Sequence, residues 1–361
     1  MLKQYEYYLT KLFLKNILII FTVFIFLSFF LNIFEEIKYF EYKESSLYYP
    51  ILLTILNIPS IIFEILPFIF LLGVMFFFIK IYENEEIELL RSNGINNMKI
   101  TMTISIVSLI IGIFLIVVYY SFSANFKSLY LNIKYKYSEA GDYLAVVNED
   151  GLWIKEKSND GSTIFIINAK TYKINKLENL EIIELDNDYK LMNTITSKEA
   201  NIIKKKWILK DVKIFSNKKK RKDIKDYIYS SSFNGEIISN LYSNLNSLNI
   251  LQLIELKNNY KSIGYSATEV KLHLNKIYSI PFYLSLTTII GALLMLKLNF
   301  IKSKFFLIVI GVLVSVIFYY INYFSILFGK NETLPAEASV WLPQILIFLI
   351  CSLGLTKINE I

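Results

Sequence analysis

Residues 16–34 read NILIIFTVFIFLSFFLNIF and contain no charged side chain. About 18 uncharged apolar residues in a row are enough to cross a bilayer as a helix. Stretches with few or no charges recur along the chain. In the stretch 45–79, Glu64 is the only charged residue. The sequence therefore predicts six membrane spans, since four more charge-free runs lie at residues 100–126, 277–296, 305–329 and 338–356.

The composition agrees with a membrane protein. Hydrophobic residues make up 54% of the 361 residues and charged residues only 19%, whereas a soluble domain carries about 25% charge. The net charge of +7 comes from Lys interleaved with Asn, Ile and Tyr, so we expect no binding to nucleic acid. The first apolar run is longer than the apolar core of a cleavable signal peptide, and we expect it to remain as an anchor.

Prolines divide the second apolar stretch, which is longer than one span requires. Pro59 and Pro67 fall within it, and a proline removes a helix hydrogen bond and bends the helix. We therefore interpret Tyr48–Asn57 as an interfacial or re-entrant piece and Pro59–Ile81 as the second span. The other spans are predicted at Asn16–Phe34, Ile100–Phe122, Ile277–Leu296, Phe305–Phe328 and Ala338–Thr356.

A polar stretch of domain size, residues 127–276, separates the third span from the fourth. Asp-Gly pairs at 150–151 and 160–161 are typical of hairpin turns and predict a β meander. The run Lys218–Lys222 is interpreted as a solvated loop. The predicted strands are Tyr143–Val147, Leu152–Glu156, Thr163–Ala169, Leu180–Leu185 and Trp207–Phe215.

Helix signals return after this β region. Ile250–Ser262 has a helical pattern, and Ser266–Glu269 matches a capping box that leads into the fourth span. We expect residues 1–126 to form the first three transmembrane helices and residues 127–249 to form an inserted β domain. Residues 250–361 are expected to form a connector helix and the last three transmembrane helices.

The Lys and Arg residues of the short loops predict the orientation in the membrane. We expect both termini to be cytoplasmic and the polar stretch to lie outside. Its many Lys residues do not contradict this, since long domains cross the membrane largely regardless of charge. The basic short segments are residues 1–15, 80–99, 297–304 and 357–361.

The loop between the second and third spans has a short amphipathic helical pattern near residues 83–94. Ile87 and Leu90 fall on one side, and Gly94 is typical of a left-handed helix end. A helix this short is marginally stable by itself. The segment is therefore either a helix that a soluble motor protein binds and stabilises, or a solvated loop. Acids in its first turns suit the helix dipole, and the charged residues are Glu83, Glu85, Glu86, Glu88 and Arg91.

Few ionisable side chains lie near the spans, and each has two interpretations. Glu64 lies either on a substrate path or at the membrane interface. Lys38 and Lys43 either bind an anionic head group through charge-assisted hydrogen bonds or pair with the nearby acids Glu35, Glu36, Glu41 or Glu44. Three tyrosines of the fifth span either line a cavity or form an aromatic belt: Tyr319, Tyr320 and Tyr323.

No catalytic or metal-binding pattern occurs in the sequence. There is no G-x-x-x-x-G-K-[ST] phosphate loop, no H-E-x-x-H pair and no Cys/His cluster. His273 is the single histidine and Cys351 the single cysteine. We therefore expect a protein that is not an enzyme and has no cofactor, metal site or catalytic residue of its own.

Four groups of motifs occur in a characteristic order: Ile58–Phe68 with Leu71–Gly73, Asn84–Gly94, Gly151–Ile154 with Trp207–Val212, and Leu334–Pro335 with Trp341–Pro343. Together they resemble the LptF/LptG (YjgP/YjgQ) permease family of the lipopolysaccharide export ABC transporter. The resemblance covers nearly the full chain. It is closer to LptG than to LptF, because of the Pro59…Glu64…Pro67 stretch and the acidic pair after the first span.

The resemblance implies an α-helical membrane protein of the bacterial inner membrane, with six transmembrane helices and an inserted periplasmic β-jellyroll-like domain. It implies a permease subunit that extracts lipopolysaccharide and passes it to a periplasmic bridge. The implied partners are an LptB-like ATPase dimer, a second LptF/LptG-type permease and an LptC-like bitopic protein with a periplasmic jellyroll. A permease for a different lipid or lipoprotein is the alternative, and an ion-driven transporter is disfavoured because only Glu64 lies within a span.

The resemblance also implies residue roles. Glu86 aligns with the family's key acid in the helix that docks on the ATPase, and spans one and five form a lateral gate. Tyr39 and Glu41 stand where the family has further positive charge. The implied coupling residues are Glu83, Glu86, Glu88, Arg91 and Gly94, and the implied substrate contacts are Lys38, Lys43, Glu64, Tyr319, Tyr320 and Tyr323.

Overall fold

The structure is a computed structural model. It divides into two compact units, Met1–Tyr130 with Thr268–Ile361, and Leu131–Ala267. It describes residues 4–40, 48–136, 152–157, 163–173, 176–186, 189–204, 206–216, 219–231, 235, 244–262, 266–297 and 303–358.

The helices follow one another along the chain, and one π-helical segment, Leu115–Tyr119, joins α4 to α5 without a break. Helix α6 belongs to the second unit and lies where the sequence predicts it. The helices are α1 (Gln4–Phe40), α2 (Tyr48–Glu83), α3 (Glu86–Ser92), α4 (Asn97–Phe114), α5 (Tyr120–Lys136), α6 (Ile250–Ser262), α7 (Thr268–Lys297), α8 (Lys304–Lys330) and α9 (Ala336–Lys357).

Six helical segments of the described chain are long and apolar enough to cross a membrane, which confirms the six predicted spans. Most extend beyond the charge-free cores, because their polar ends continue the helix. The segments are Gln4–Phe40, Tyr48–Glu83, Asn97–Lys134, Thr268–Lys297, Phe305–Lys330 and Ala336–Lys357.

The prediction of a separate re-entrant piece at Tyr48–Asn57 is wrong. These residues form the first turns of α2, which continues through Pro59 and Pro67 to Glu83. Neighbouring helices compensate for prolines in a membrane helix by packing around them and supplying polar partners. Here the Tyr119 hydroxyl donates to the Pro59 carbonyl oxygen at 3.1 Å, which adds a polar contact beside the first proline, although the carbonyl that loses its helix donor at Pro59 is that of Ile55.

The core of the helical unit lies around α2 and α7. Helix α7 packs against α2, α4, α8 and α9. The side chains that α2 contributes to this core are large and fully buried, and they occur on more than one side of the helix. They include Leu66, Ile69, Phe70, Phe77 and Phe78.

Helices α4 and α7 approach closely along a face of small and hydroxylated residues. A Cβ atom added at Gly112 would lie 2.5 Å from the Cα of Pro281, so only glycine allows this spacing. Small residues let helix backbones approach in a membrane, where hydroxyl groups then bond across the interface. The bonded oxygen pairs are Ser105–Ser285 at 2.7 Å and Ser108–Thr288 at 2.8 Å.

The second unit contains an antiparallel sheet whose described strands follow sequence order, each paired with the next. This confirms the predicted insertion of a β region between the third and fourth spans. The strands are β1 (Leu152–Lys157), β2 (Thr163–Lys173), β3 (Lys176–Asp186), β4 (Leu191–Asn201), β5 (Lys206–Ser216) and β6 (Lys219–Ser230).

Two of these strands were not predicted. β4 reads LMNTITSKEAN, which is too polar to show a clear apolar alternation. β6 begins at Lys219, so the interpretation of Lys218–Lys222 as a loop is wrong for its described residues. Pairing with β5 stabilises this basic strand. The predicted strand Tyr143–Val147 and both Asp-Gly turns lie outside the described residues.

The sheet curves until its first and last strands meet. The Glu156 carboxylate on β1 accepts hydrogen bonds from the Tyr229 hydroxyl on β6 at 2.6 Å and from the Ser231 hydroxyl at 2.9 Å. Burial and the neighbouring Glu156 charge raise the pKa of Tyr229, so its hydroxyl remains a proton donor. The curved sheet encloses an apolar core that includes Ile154, Ile167, Ile182, Trp207 and Leu209.

Candidate functional site

One side of α2 is left open by the helices around it. Helix α2 packs against α1, α7 and α8, and α4 packs against both α1 and α7. Because α7 also packs against α8, the uncovered side of α2 faces the space between α8 and α1. Over the described residues, α1 and α8 do not pack against each other to a comparable extent. We call this space the open groove: α2 is its floor, and α1 and α8 are its walls.

Few residues of α2 are exposed, and they do not share one face, because Glu64 follows Ile55 by nine residues and so lies on the opposite side of the helix. Ile51 and Ile55 are exposed in its first turns, and Glu64 is exposed near the middle of the helix. Since α2 begins at Tyr48, Glu64 lies far from either helix end. A carboxylate at this depth is costly unless it faces water, a partner or a ligand. Both interpretations of Glu64, on a substrate path and at the membrane interface, therefore stay predictions.

The two walls are the least buried of the six apolar segments. Along α1, Phe26, Phe30 and Phe34 are exposed and lie four residues apart, which places them on one helix face. Along α8, Tyr319 and Tyr323 are stacked with ring centroids 6.3 Å apart, and Tyr320 is also exposed. Such surfaces offer apolar and aromatic contact area to a lipid chain or to another membrane helix.

Lys38 lies in the last turn of α1 with an exposed side chain. Within the described part of the chain it has no ion-pair partner. Of the nearby acids, Glu35 is exposed and Glu36 is fully buried. Among the described residues, Lys38 therefore forms no ion pair with Glu35 or Glu36, and its binding to an anionic head group stays a prediction. Lys43, Glu41 and Glu44 lie outside the described residues.

A buried polar network joins α1 to α2 and α5, and it was not predicted. The Asn57 amide donates to the Asn32 side-chain oxygen at 3.3 Å, and the Lys127 ammonium donates to the Asn57 oxygen at 2.7 Å. The Tyr130 hydroxyl donates to Glu36 at 2.8 Å. The spacing of Ser28, Asn32 and Glu36, four residues apart on α1, was a sequence signal for this polar face.

Helix α3 is shorter than predicted. Glu83 closes α2, and Glu85 takes a left-handed conformation with φ 57°, which starts a new helix at Glu86. At its other end, the prediction for Gly94 is confirmed: its φ is 76°. The Gly94 and Ile95 amides donate to the carbonyl oxygens of Arg91 and Leu90 at 2.9 and 3.0 Å, as in a Schellman motif.

The two faces of α3 have different environments. Ile87 and Leu90 are buried in the core of the helical bundle, which fixes the helix on the end of α2. Leu89 is 65% exposed on the other side, beside the exposed charges of Glu88 and Arg91. This exposed side of α3 therefore combines one apolar side chain with charges of both signs.

The half-exposed carboxylate of Glu86 is held by two donors. The Tyr8 hydroxyl of α1 donates to one oxygen at 2.7 Å, and the Asn84 amide donates to the other at 2.9 Å. On the same helix, Arg91 Nε donates to the Asn97 side-chain oxygen at 3.1 Å. The charged ends of α3 are thus oriented by α1 and by the start of α4.

The remaining single-copy residues are buried or bonded within the helical unit. His273 Nε2 lies 3.0 Å from the Tyr120 hydroxyl, and Cys351 is a buried free thiol. Among the described residues, no three side chains of His, Cys, Asp or Glu lie close enough together to hold a metal ion.

Among the described residues, six helices long and apolar enough to cross a membrane, with a sheet inserted between the third and the fourth, define a multi-pass membrane protein. The family model for the lipopolysaccharide export system permease LptF/LptG matches residues 7–357. This range is nearly the whole chain, so the protein belongs to the LptF/LptG family, as its motifs predict. Among curated proteins, no sequence matches this chain.

Proposed function

We propose that this chain extracts lipopolysaccharide from the bacterial inner membrane as one permease subunit of an ATP-driven transporter. The open groove carries this proposal, because its apolar and aromatic walls suit acyl chains. The exposed Lys38 ammonium at the end of one wall suits the phosphates of the lipid, since charge-assisted bonds to phosphate are strong. Lys43, Glu64, Tyr319, Tyr320 and Tyr323 are proposed as further substrate contacts.

Helix α3 is the proposed docking element for a cytoplasmic LptB-like ATPase dimer. Leu89 and the exposed charges enter a groove of the ATPase, and Glu86 receives a cation from it. Residues Glu83, Glu88, Arg91 and Gly94 complete this coupling surface. Hydrolysis of ATP takes place on the partner, so this chain contributes positioning and movement rather than a catalytic residue.

The other partners follow from the incompleteness of the open groove. One chain supplies a floor and two walls, and a second LptF/LptG-type permease closes the cavity from the opposite side. The β region of the second unit lies in the periplasm, where it adjoins the jellyroll of an LptC-like bitopic protein on the route of the lipid. Both termini are then cytoplasmic, and the chain takes the LptG position in the pair.

Co-purification tests the proposal. The chain is expressed together with the candidate ATPase and the candidate second permease, and the complex is solubilised in detergent. The amount of ATPase that co-purifies with Glu86→Lys is compared with the amount that co-purifies with the wild type. The control is Glu255→Lys, the same charge change at an exposed position of α6. We expect Glu86→Lys to reduce the bound ATPase by more than tenfold, because like charges at a docked acid cost several kcal/mol, whereas the control keeps it. Absence of ATPase from the wild-type preparation contradicts the proposal.

A further inference from the structure

Tyr8 joins the proposed coupling acid to the helix that forms one wall of the open groove. Its hydroxyl donates to Glu86 at 2.7 Å, a short distance that is typical of a bond to a charged acceptor. The next residue on α1, Leu9, is fully buried, as is Phe13 one turn later. The Phe13 ring packs edge-on against Phe77 of α2 at 5.8 Å. Tyr8 therefore projects from a well-packed end of α1.

Helix α1 is able to carry a displacement along its whole length. It runs for 37 residues without a break, which corresponds to about 55 Å. Near its other end, Asn32 and Glu36 belong to the buried polar network with α2 and α5. Between the two ends, α1 packs against α2 and leaves Phe26, Phe30 and Phe34 exposed on the side away from the polar network. A rigid shift of α1 at Tyr8 would displace this exposed face as well.

Helix α3 depends on its surroundings for its position, since it has only 7 residues and a helix this short is marginal alone. Two apolar side chains, Ile87 and Leu90, attach it to the bundle. The Tyr8 hydroxyl adds a directional contact from a different helix to the one acid that is proposed to bind the ATPase. A cation that approaches Glu86 must share the carboxylate with Tyr8 or displace its hydroxyl.

We propose that Tyr8 is a positioning residue that links the state of the ATPase interface to the position of α1. When the ATPase pulls on α3 or competes for Glu86, the Tyr8–Glu86 bond transfers this change to the groove wall. This inference rests on the proposed function, because it assumes that α3 docks on an ATPase. It adds a residue outside α3 to the coupling apparatus.

The test compares Tyr8→Phe with Tyr7→Phe in the complete complex. Phenylalanine keeps the ring and removes only the hydroxyl, and Tyr7 is 61% exposed on the neighbouring face of α1. Complexes are reconstituted in proteoliposomes that contain lipopolysaccharide. ATP hydrolysis and the lipopolysaccharide delivered to a soluble acceptor are measured in the same sample.

We expect Tyr8→Phe to bind as much ATPase as the wild type and to deliver at least about tenfold less lipopolysaccharide per ATP, the loss that corresponds to one hydrogen bond to a charged group. Tyr7→Phe is expected to match the wild type. Equal ratios for Tyr8→Phe and Tyr7→Phe overturn the inference and leave the proposed function intact. A wild-type preparation without ATPase overturns both.

A second measurement follows α1 directly. Leu18 is 66% exposed on α1, and the single native thiol, Cys351, is buried, so Leu18→Cys accepts a fluorescent label selectively. When the ATPase is trapped with vanadate, we expect the emission of the label at Leu18→Cys to change in the protein that keeps Tyr8. In the protein that also carries Tyr8→Phe, we expect this emission to stay unchanged. An equal change in both backgrounds shows that α1 moves without this bond and overturns the inference.

Discussion

Lys38 shows how a helix separates two residues that are neighbours in sequence. Its neighbours in sequence, Glu35 and Glu36, suggested ion pairs, yet α1 turns Glu36 into the protein and leaves the Lys38 side chain exposed. A helix places residues two positions apart on different faces. Lys38 is therefore separated from Glu36, and its contact with a lipid phosphate stays a prediction.

We expect Lys38→Gln to weaken lipopolysaccharide binding about tenfold, because a charge-assisted bond contributes roughly 1.5–3 kcal/mol. Lys15→Gln is the control, since Lys15 is exposed near the other end of the same helix. Binding is measured by titrating lipopolysaccharide into the detergent-solubilised complex. A similar loss of binding for both variants would contradict a specific contact of Lys38, because it would follow from the lower net charge alone.

Tyr229 and Glu156 illustrate a buried polar contact that depends on pH. A tyrosine in an unfolded chain has a pKa of 10.0, and burial beside Glu156 raises this pKa in the folded protein. Below pH 10 both states keep the proton, and the contribution to stability is complete. Above pH 10 the unfolded state binds fewer protons than the folded state, so the free energy of unfolding falls as the pH rises.

We expect Tyr229→Phe to destabilise the β region by about 1–3 kcal/mol, because Glu156 loses a donor, and to reduce the loss of stability between pH 10 and 11. Unfolding is followed by fluorescence of the buried Trp207 in a variant in which Trp153 and Trp341 are phenylalanine. Tyr227→Phe is the control. If its stability falls equally, the hydrogen bond to Glu156 is not the cause.

At the scale of elements, the charge-free runs predict where the apolar cores of the helices lie, but they do not predict where each helix begins, ends or continues. The prolines of α2 predicted a break that the surrounding helices prevent. The helical pattern near residues 83–94 is interrupted by the left-handed Glu85, which no side-chain pattern indicates. Strands β4 and β6 are polar and are held by their neighbours in the sheet. In each case contacts from other elements outweigh local preference.

The α4–α7 contact depends on the absence of a side chain at Gly112. We expect Gly112→Ala to lower stability by about 1–3 kcal/mol, because its Cβ would meet the backbone of Pro281 and overpacking costs this much. In Gly311→Ala, the added atom meets the flexible end of Met75, which is able to move. Thermal unfolding in detergent compares the two variants, and an equal loss would contradict the close-contact explanation.

At the scale of the molecule, the open groove makes a spatial prediction about the lipid. A photo-crosslinking amino acid at Tyr319 should capture lipopolysaccharide in cells, because Tyr319 lies on the exposed aromatic face of α8. The same amino acid at Leu353, which is 68% exposed on α9, should capture bulk phospholipid instead. Capture of lipopolysaccharide with equal efficiency at both positions would contradict a specific groove.

Six spans, an inserted β region, the short helix with its left-handed glycine end and the family follow from the sequence by itself. Each depends on local composition or on neighbours along the chain, since an apolar run of sufficient length partitions into a bilayer wherever it occurs. Only the tertiary structure decided the continuity of α2, the strands β4 and β6, the polar network of α1 with α2 and α5, and the bond between Tyr8 and Glu86. These features join residues from separate elements, and the free energy of such contacts depends on packing that no local pattern contains.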